Sequence, residues 1–206
     1  LKHKKKSKTG IVLKEDFLNE YFKLLPFELT NAQKNAIFDC VTDMKKGFAM
    51  NRLIQGDVGS GKTAVASGVI YDVVKNGFQC ALMAPTEILA VQHYETLTNL
   101  LSDAGFKVAL LTGSTKAKQK REIKELLMNG QTDLLVGTHA IIQNDVEFKN
   151  LGLVITDEQH RFGVEQRANL AMKGECVHTL VMSATPIPRT LALTIYGDLD
   201  ISVLNE

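Results

Sequence analysis

An α/β protein built on a parallel sheet with helices on both faces is the fold class this sequence predicts, and three observations predict it. Short apolar runs alternate with helical stretches along most of the 206 residues, the pattern of strand–helix–strand units buried on both sides. A glycine-rich segment, Gly56-Asp57-Val58-Gly59-Ser60-Gly61-Lys62-Thr63, stands between one such run and a helical stretch. Every chemically suggestive short motif falls at the carboxyl end of a strand-like run, where such sheets bind ligands.

The elements follow in order. Residues 14–25 have helix-compatible spacing and stop before Pro26. Thr30 or Asn31 then caps a second helix with Ile37, Cys40, Val41 and Met44 on one face. Strand-like runs occur at 52–55, 79–84, 107–112, 133–137, 151–156 and 178–183. Between them, residues 63–74 have the length and apolar content of a buried helix. In 87–104, Ala90, Tyr94, Leu97, Leu101 and Ala104 recur at helical spacing, and 115–129 is a further helical stretch.

At 45% hydrophobic and 23% charged, the composition is that of an ordinary globular protein with a sizeable core. No apolar run approaches the span of a bilayer, and the lysine-rich start lacks the apolar segment of a secretory signal, so a cytoplasmic location with no membrane partner is expected. Cys40, Cys80 and Cys176 lie far apart in apolar contexts. They are expected to be small core residues in a reducing compartment rather than a zinc site or a disulfide. The net charge of +1 hides an asymmetry: with five of the 24 basic residues in positions 1–8, the rest of the chain carries 19 against 23 acids, a net of −4. Such a basic tail either grips phosphates or is solvated linker. Leu1 is not methionine, so the natural protein is expected to begin elsewhere.

The glycine-rich segment matches G-x-x-x-x-G-K-[ST], preceded by a strand and opening a helix, which is the context that pattern requires. Glycines at 56, 59 and 61 are expected to permit positive φ and wrap N–H groups round a phosphate, with the helix that begins near Lys62 aimed at the same point. Lys62 can reach the β and γ phosphates of ATP, and the Thr63 hydroxyl can take one Mg²⁺ position. About a hundred residues later, Asp157 and Glu158 end another apolar run. Asp157 suits a metal ligand, and Glu158 a base that orients or deprotonates water. Pro85-Thr86, Thr112-Gly113, Thr138-His139 and Ser183-Ala184-Thr185 end the remaining runs.

These segments, with Asp157-Glu158-Gln159-His160-Arg161-Phe162-Gly163-Val164 and Ser183-Ala184-Thr185-Pro186-Ile187-Pro188-Arg189-Thr190, stand in the order of the motor motifs of superfamily 2 helicases. Residues 26 to about 200 resemble the RecG-type bacterial DNA translocases. The resemblance implies a RecA-like ATP-binding domain over residues 26–206, and residues 1–25 as a basic tail and linker helix from an upstream wedge domain. It implies that Lys62, Thr63 and Asp157 hold Mg-ATP, that Glu158 is the catalytic base, and that Gln159 and His160 pass the state of the γ phosphate to Ser183 and Thr185. Phe27 and Gln33 resemble the element that recognises adenine. Pro85, Thr86, Thr112, Gly113, Thr138 and His139 match positions that touch the sugar-phosphate backbone. The implied partners are branched or double-stranded DNA and, in the same full-length chain, a second RecA-like domain and the wedge domain. Without the second domain's arginine fingers, the 206-residue chain is expected to be a weak ATPase. A transcription-repair coupling translocase and an RNA helicase core are the alternative readings; a scaffold without turnover and a small-molecule kinase are the readings from other classes.

Overall fold

The computed structural model describes residues 11–13, 16–157, 164–184, 188, 190–191 and 199–205, with the backbone alone for 164–167. The helices are α1 (Leu18–Leu24), α2 (Asn31–Lys45), α3 (Lys62–Lys75), α4 (Glu87–Leu101), α5 (Ala117–Met128) and α6 (Val164–Ala171). The strands are β1 (Asn51–Gly56), β2 (Gln79–Met83), β3 (Val108–Leu111), β4 (Leu134–Gly137), β5 (Leu151–Asp157), β6 (His178–Ser183) and β7 (Asp200–Leu204). The strands form one sheet in the order β3-β4-β2-β5-β6-β1-β7, with parallel pairing throughout.

Side-chain alternation sorts the core into two layers. Leu134 and Val136 of β4, Cys80 and Leu82 of β2 and Leu153 and Ile155 of β5 join residues of α1 to α4 on one face. Leu135, Ala81, Met83 and Val154 join Leu127 of α5 and Leu170 of α6 on the other. Both faces are covered, as the uninterrupted apolar runs require: each strand residue must find an apolar neighbour whichever way it points.

Helix starts follow local chemistry. Thr30 caps α2, accepting from Gln33 N, while the Gln33 side chain accepts from Thr30 N, a complete capping box. Ile37, Cys40, Val41 and Met44 are all buried, as the spacing predicted. α1 is shorter than the predicted 14–25, and residues 14–15 lie outside the described set. It packs on α3 through Leu18 and Tyr21, both at most 1% exposed, and its first turn is held by the Phe17 N–H, which donates to Asp72 Oδ1 at 2.9 Å. Residues 102–104, expected to continue α4, form a separate turn of tighter helix that ends at Gly105 with φ 72°.

Three features depart from expectation. β7 was not foreseen. It pairs with β1, and its Ser202 hydroxyl accepts from Arg52 Nη1 at 3.0 Å and donates to Asp39 Oδ2 at 2.9 Å. Arg52 also grips Asp43 through Nε at 2.7 Å and Nη2 at 3.3 Å, so a forked, partly buried cation ties α2 to β1 and β7. α6 was not foreseen either. Finally, Cys40 and Cys80 are fully buried thiols, but Cys176, expected in the core, is half-buried in the bend before β6 with φ 53°. The three are unpaired with one another.

Candidate nucleotide and nucleic-acid site

The glycine-rich loop runs from the carboxyl end of β1 to the first turn of α3. Gly59 and Gly61 have φ of 84° and 83°, the left-handed backbone predicted for the wrap. Gly56 does not share it. It ends a strand and is glycine for room: a Cβ there would lie 2.5 Å from Ser60 Oγ and 3.0 Å from Leu204 Cβ. Lys62 turns its ammonium back into the loop, donating to Gly56 O at 2.7 Å and Asp57 O at 3.0 Å. Burial pushes the Lys62 pKa below its ordinary value, opposed by the carboxylates of Asp157 and then Asp57. The Lys62 and Asp157 charges therefore lie within electrostatic reach of each other, although 95 residues separate them in sequence.

The residues present fit a bound Mg-nucleotide on two observations. The Ser60 hydroxyl is buried with no hydrogen-bond partner among the described residues, an unmet polar group inside the loop. A cleft of about 480 Å³ also opens beside the loop between residues 55–60, Ala184 and residues 203–205, with Lys62, Thr63 and Asp157 outside its lining. Asp57, Val58 and Gly59 are exposed at its rim, Val58 at 91%. Thr63, the second residue of α3, is half-buried beside Lys62.

Sheet order brings the second half of this site into place. β6 lies between β5 and β1, with Ser183 opposite Gln55 and Met182 opposite Asp157. Ser183 is buried at the end of that intervening strand. Glu158, Gln159, His160 and Thr185 lie outside the described residues.

Gln33, expected to recognise adenine, reaches the glycine-rich loop itself. Its Nε2 donates to Ser60 O at 3.0 Å while its Oε1 completes the α2 capping box. A Cβ on Gly61 would fall 1.9 Å from that nitrogen. Gln33 thus braces the phosphate loop against α2. Phe27, 46% exposed, lies in the segment before α2 with its ring accessible.

The remaining motif residues gather on the other half of the sheet edge, at the ends of the adjacent strands β3, β4 and β2. Pro85 is half-buried, and Thr86 is exposed and caps α4, accepting from Leu89 N at 3.3 Å. Gly113 and His139 are exposed and Thr138 is half-buried. Thr112 is only 3% exposed, and its hydroxyl donates to Glu87 Oε1 at 3.0 Å. Ser114 donates to the other oxygen of Glu87 at 2.8 Å. Glu87, which sequence reasoning missed, clamps the loop after β3 to the start of α4. A second missed residue is His93 of α4, whose Nε2 lies 2.6 Å from Asp157 Oδ2. Glu87 stands inside the motif segment 84–90 and His93 outside any motif, but neither contact could be read locally, because both depend on which strands are neighbours.

Comparison with known proteins agrees with this arrangement. A family model described as DEAD/DEAH box helicase matches residues 30–194. The ATP-dependent DNA helicase RecG of Bacillus subtilis (strain 168) is 54% identical over 198 residues, 94% of this chain and 29% of that protein. RecG of Thermotoga maritima is 58% identical over 187 residues, 91% of this chain and 24% of that protein. The chain spans less than a third of the length of these relatives. Among solved structures, RecG bound to a three-way DNA junction superposes with a TM-score of 0.82 at 53% identity, covering 95% of this chain and 26% of that one. The UvsW helicase of bacteriophage T4 shares the fold alone, with a TM-score of 0.67 at 15% identity over 94% of this chain and 70% of that one. On the family match, the chain belongs to the DEAD/DEAH box helicase family, as a motor domain of the RecG type.

Proposed function

We propose that this chain is the first of two RecA-like motor domains in a cytoplasmic ATP-dependent DNA helicase that remodels branched DNA in recombination and repair. Residues 1–25 connect to an upstream wedge domain, and residues 26–206 form the motor domain. The observation that carries the reading is the division of one sheet edge: β1, β6 and β5 bear the phosphate-loop and carboxylate residues, while β2, β4 and β3 bear the candidate backbone contacts. The two functions share a rigid sheet, which is what coupling hydrolysis to movement requires.

Lys62 gives up the carbonyls of Gly56 and Asp57 for phosphate oxygens when ATP enters. Thr63 and Asp157 hold Mg²⁺, which neutralises phosphate charge when bound. Glu158 orients and deprotonates the attacking water. Gln159 and His160 pass the nucleotide state to Ser183 and Thr185. Phe27 and Gln33 recognise the adenine. Pro85, Thr86, Thr112, Gly113, Thr138 and His139 meet the sugar-phosphate backbone, which positions a strand without reading its sequence.

The roles of the phosphate loop and the base separate cleanly in variants of the full-length enzyme. Lys62→Ala removes the cation that meets the phosphates and is expected to weaken binding of a fluorescent ATP analogue severely. Glu158→Gln keeps size and hydrogen bonding, so the analogue should still bind while hydrolysis collapses. Equal loss of binding in both variants would refute the assigned roles. Stimulation of the wild-type ATPase by RNA rather than by branched DNA would move the substrate class to RNA.

A further inference from the structure

His93 stands seven residues into α4, at a position no nucleotide motif claims. Its side chain is 12% exposed and that of Asp157 is 17% exposed. A carboxylate can only accept, so the proton in their 2.6 Å contact sits on His93 Nε2, which donates to Oδ2. The pairing is built by the sheet: β2, which leads into α4, is hydrogen-bonded to β5, which ends in Asp157. Among the described residues the bond engages Oδ2, which leaves Oδ1 as an acceptor for a cation.

We propose that His93 is a positioning residue for Asp157, holding the carboxylate in the rotamer that offers Oδ1 to the Mg²⁺ of the bound nucleotide. The proposal rests on the reading of Asp157 as the metal-holding carboxylate. A carboxylate at a strand end turns about two single bonds, and fixing it during ligand binding costs side-chain entropy. A half-buried imidazole that already fixes it removes that cost from the binding step. Partners of this kind, one bond behind a metal ligand, typically change metal affinity by about 10- to 100-fold when removed. A merely structural role, in which the imidazole only satisfies a half-buried carboxylate, predicts an effect on stability and none on the Mg²⁺ requirement.

The experiment is a titration of the full-length enzyme with a fluorescent ATP analogue at graded Mg²⁺ and again in EDTA, for wild type, His93→Leu and His93→Gln. Affinity in EDTA is expected to be the same in all three. The Mg²⁺ concentration giving half the metal-dependent gain should rise about 10-fold or more in His93→Leu. It should return to within about three-fold of wild type in His93→Gln, whose amide Nε2 can donate over a similar reach. If His93→Leu fails to fold, His93→Asn, too short to reach Asp157, takes its place. An unchanged midpoint in the donor-less variant would overturn the proposal, and so would a rise shared equally by His93→Gln. A lowered midpoint would show that the imidazole competes with the ion instead of preparing its ligand. A wild-type enzyme that binds the analogue with no Mg²⁺-dependent gain would instead overturn the assignment of Asp157, and the proposal with it.

Discussion

Gly61 and Gly59 have almost the same φ, 83° and 84°, yet they are glycine for different reasons. A Cβ on Gly59 would meet nothing within 4 Å, whereas one on Gly61 would drive into the Gln33 amide. Alanine at either site carries the left-handed backbone penalty of about 1–2 kcal/mol. At Gly61 it also displaces the nitrogen that braces Ser60 and disturbs the capping box of α2, which is worth about 1 kcal/mol more. Gly61→Ala is therefore expected to destabilise the protein by about 2–3 kcal/mol and Gly59→Ala by about 1–2 kcal/mol, read from urea unfolding without nucleotide. Equal losses would show that Gln33 yields freely and is no brace. The phosphate loop was legible in sequence because its function lies in the backbone, and only certain residues permit that backbone. The bracing contact of Gln33 was not legible: the sequence offered Thr30 or Asn31 as the cap of α2 without naming Gln33 as its reciprocal partner, and the acceptor of the amide nitrogen lies 27 residues away and depends on how α2 meets α3.

At the scale of elements, α1 is held to α3 by more than apolar contact. Asp72 is fully buried in α3; its Oδ1 accepts from Phe17 N, and its Oδ2 has no partner among the described residues. Burial raises its pKa from 3.8 to about 6, only partly offset by the Phe17 hydrogen bond. An acid whose folded-state pKa is raised favours the fold most when protonated. Its contribution is thus best below about pH 4 and worsens as the pH climbs through 6, a loss of about 1–3 kcal/mol. Asp72→Asn keeps an acceptor for Phe17 and cannot ionise. The stability of wild type minus that of Asp72→Asn, from unfolding curves at several pH values, should fall by about that amount between pH 4 and 7 and stay flat above. A difference that is level across the whole range would mean the carboxylate is hydrated where the fold shows it enclosed. His178 slopes the other way: burial lowers its pKa, and its Nδ1 accepts from Met50 N at 2.9 Å, so protonation on acidification weakens the fold. The six predicted strands and five predicted helices were legible because their hydrophobic periods match their structure. β7 was not, since its pattern runs against hydropathy. Ser202 is 6% exposed and Val203 is 52% exposed, an inversion made possible by Arg52 and Asp39, which satisfy the buried hydroxyl from distant parts of the chain.

At the scale of the molecule, strand order is what sequence could not supply. Motifs at six strand ends pointed to one edge of one sheet, but which ends are neighbours depends on crossovers that no local pattern encodes. The order places the backbone-contact candidates together on β3, β4 and β2, so the contacts proposed for a DNA strand would form one continuous short track. Its charge argues that the track is weak by itself: beyond the five lysines of residues 1–8, the chain has 19 basic and 23 acidic residues. Contact with phosphates through hydroxyls and backbone N–H groups releases no counterions, whereas lysines do, and each phosphate neutralised steepens the dependence of log K on log salt by about 0.9 for duplex DNA. DNA binding by the 206-residue chain is accordingly expected to be weak and steeply salt-dependent. Removing residues 1–8 should abolish most of it and flatten the slope, in a fluorescence-polarisation titration at several salt concentrations. Thr138→Ala in the shortened chain should lower the residual affinity by several-fold, about the worth of one hydrogen bond, and leave the slope alone. Tight binding by the tail-less chain that ignores salt would contradict the division of labour proposed here. It would mean that the β3-β4-β2 edge is a complete recognition surface in its own right, one that needs no second domain to close over the strand.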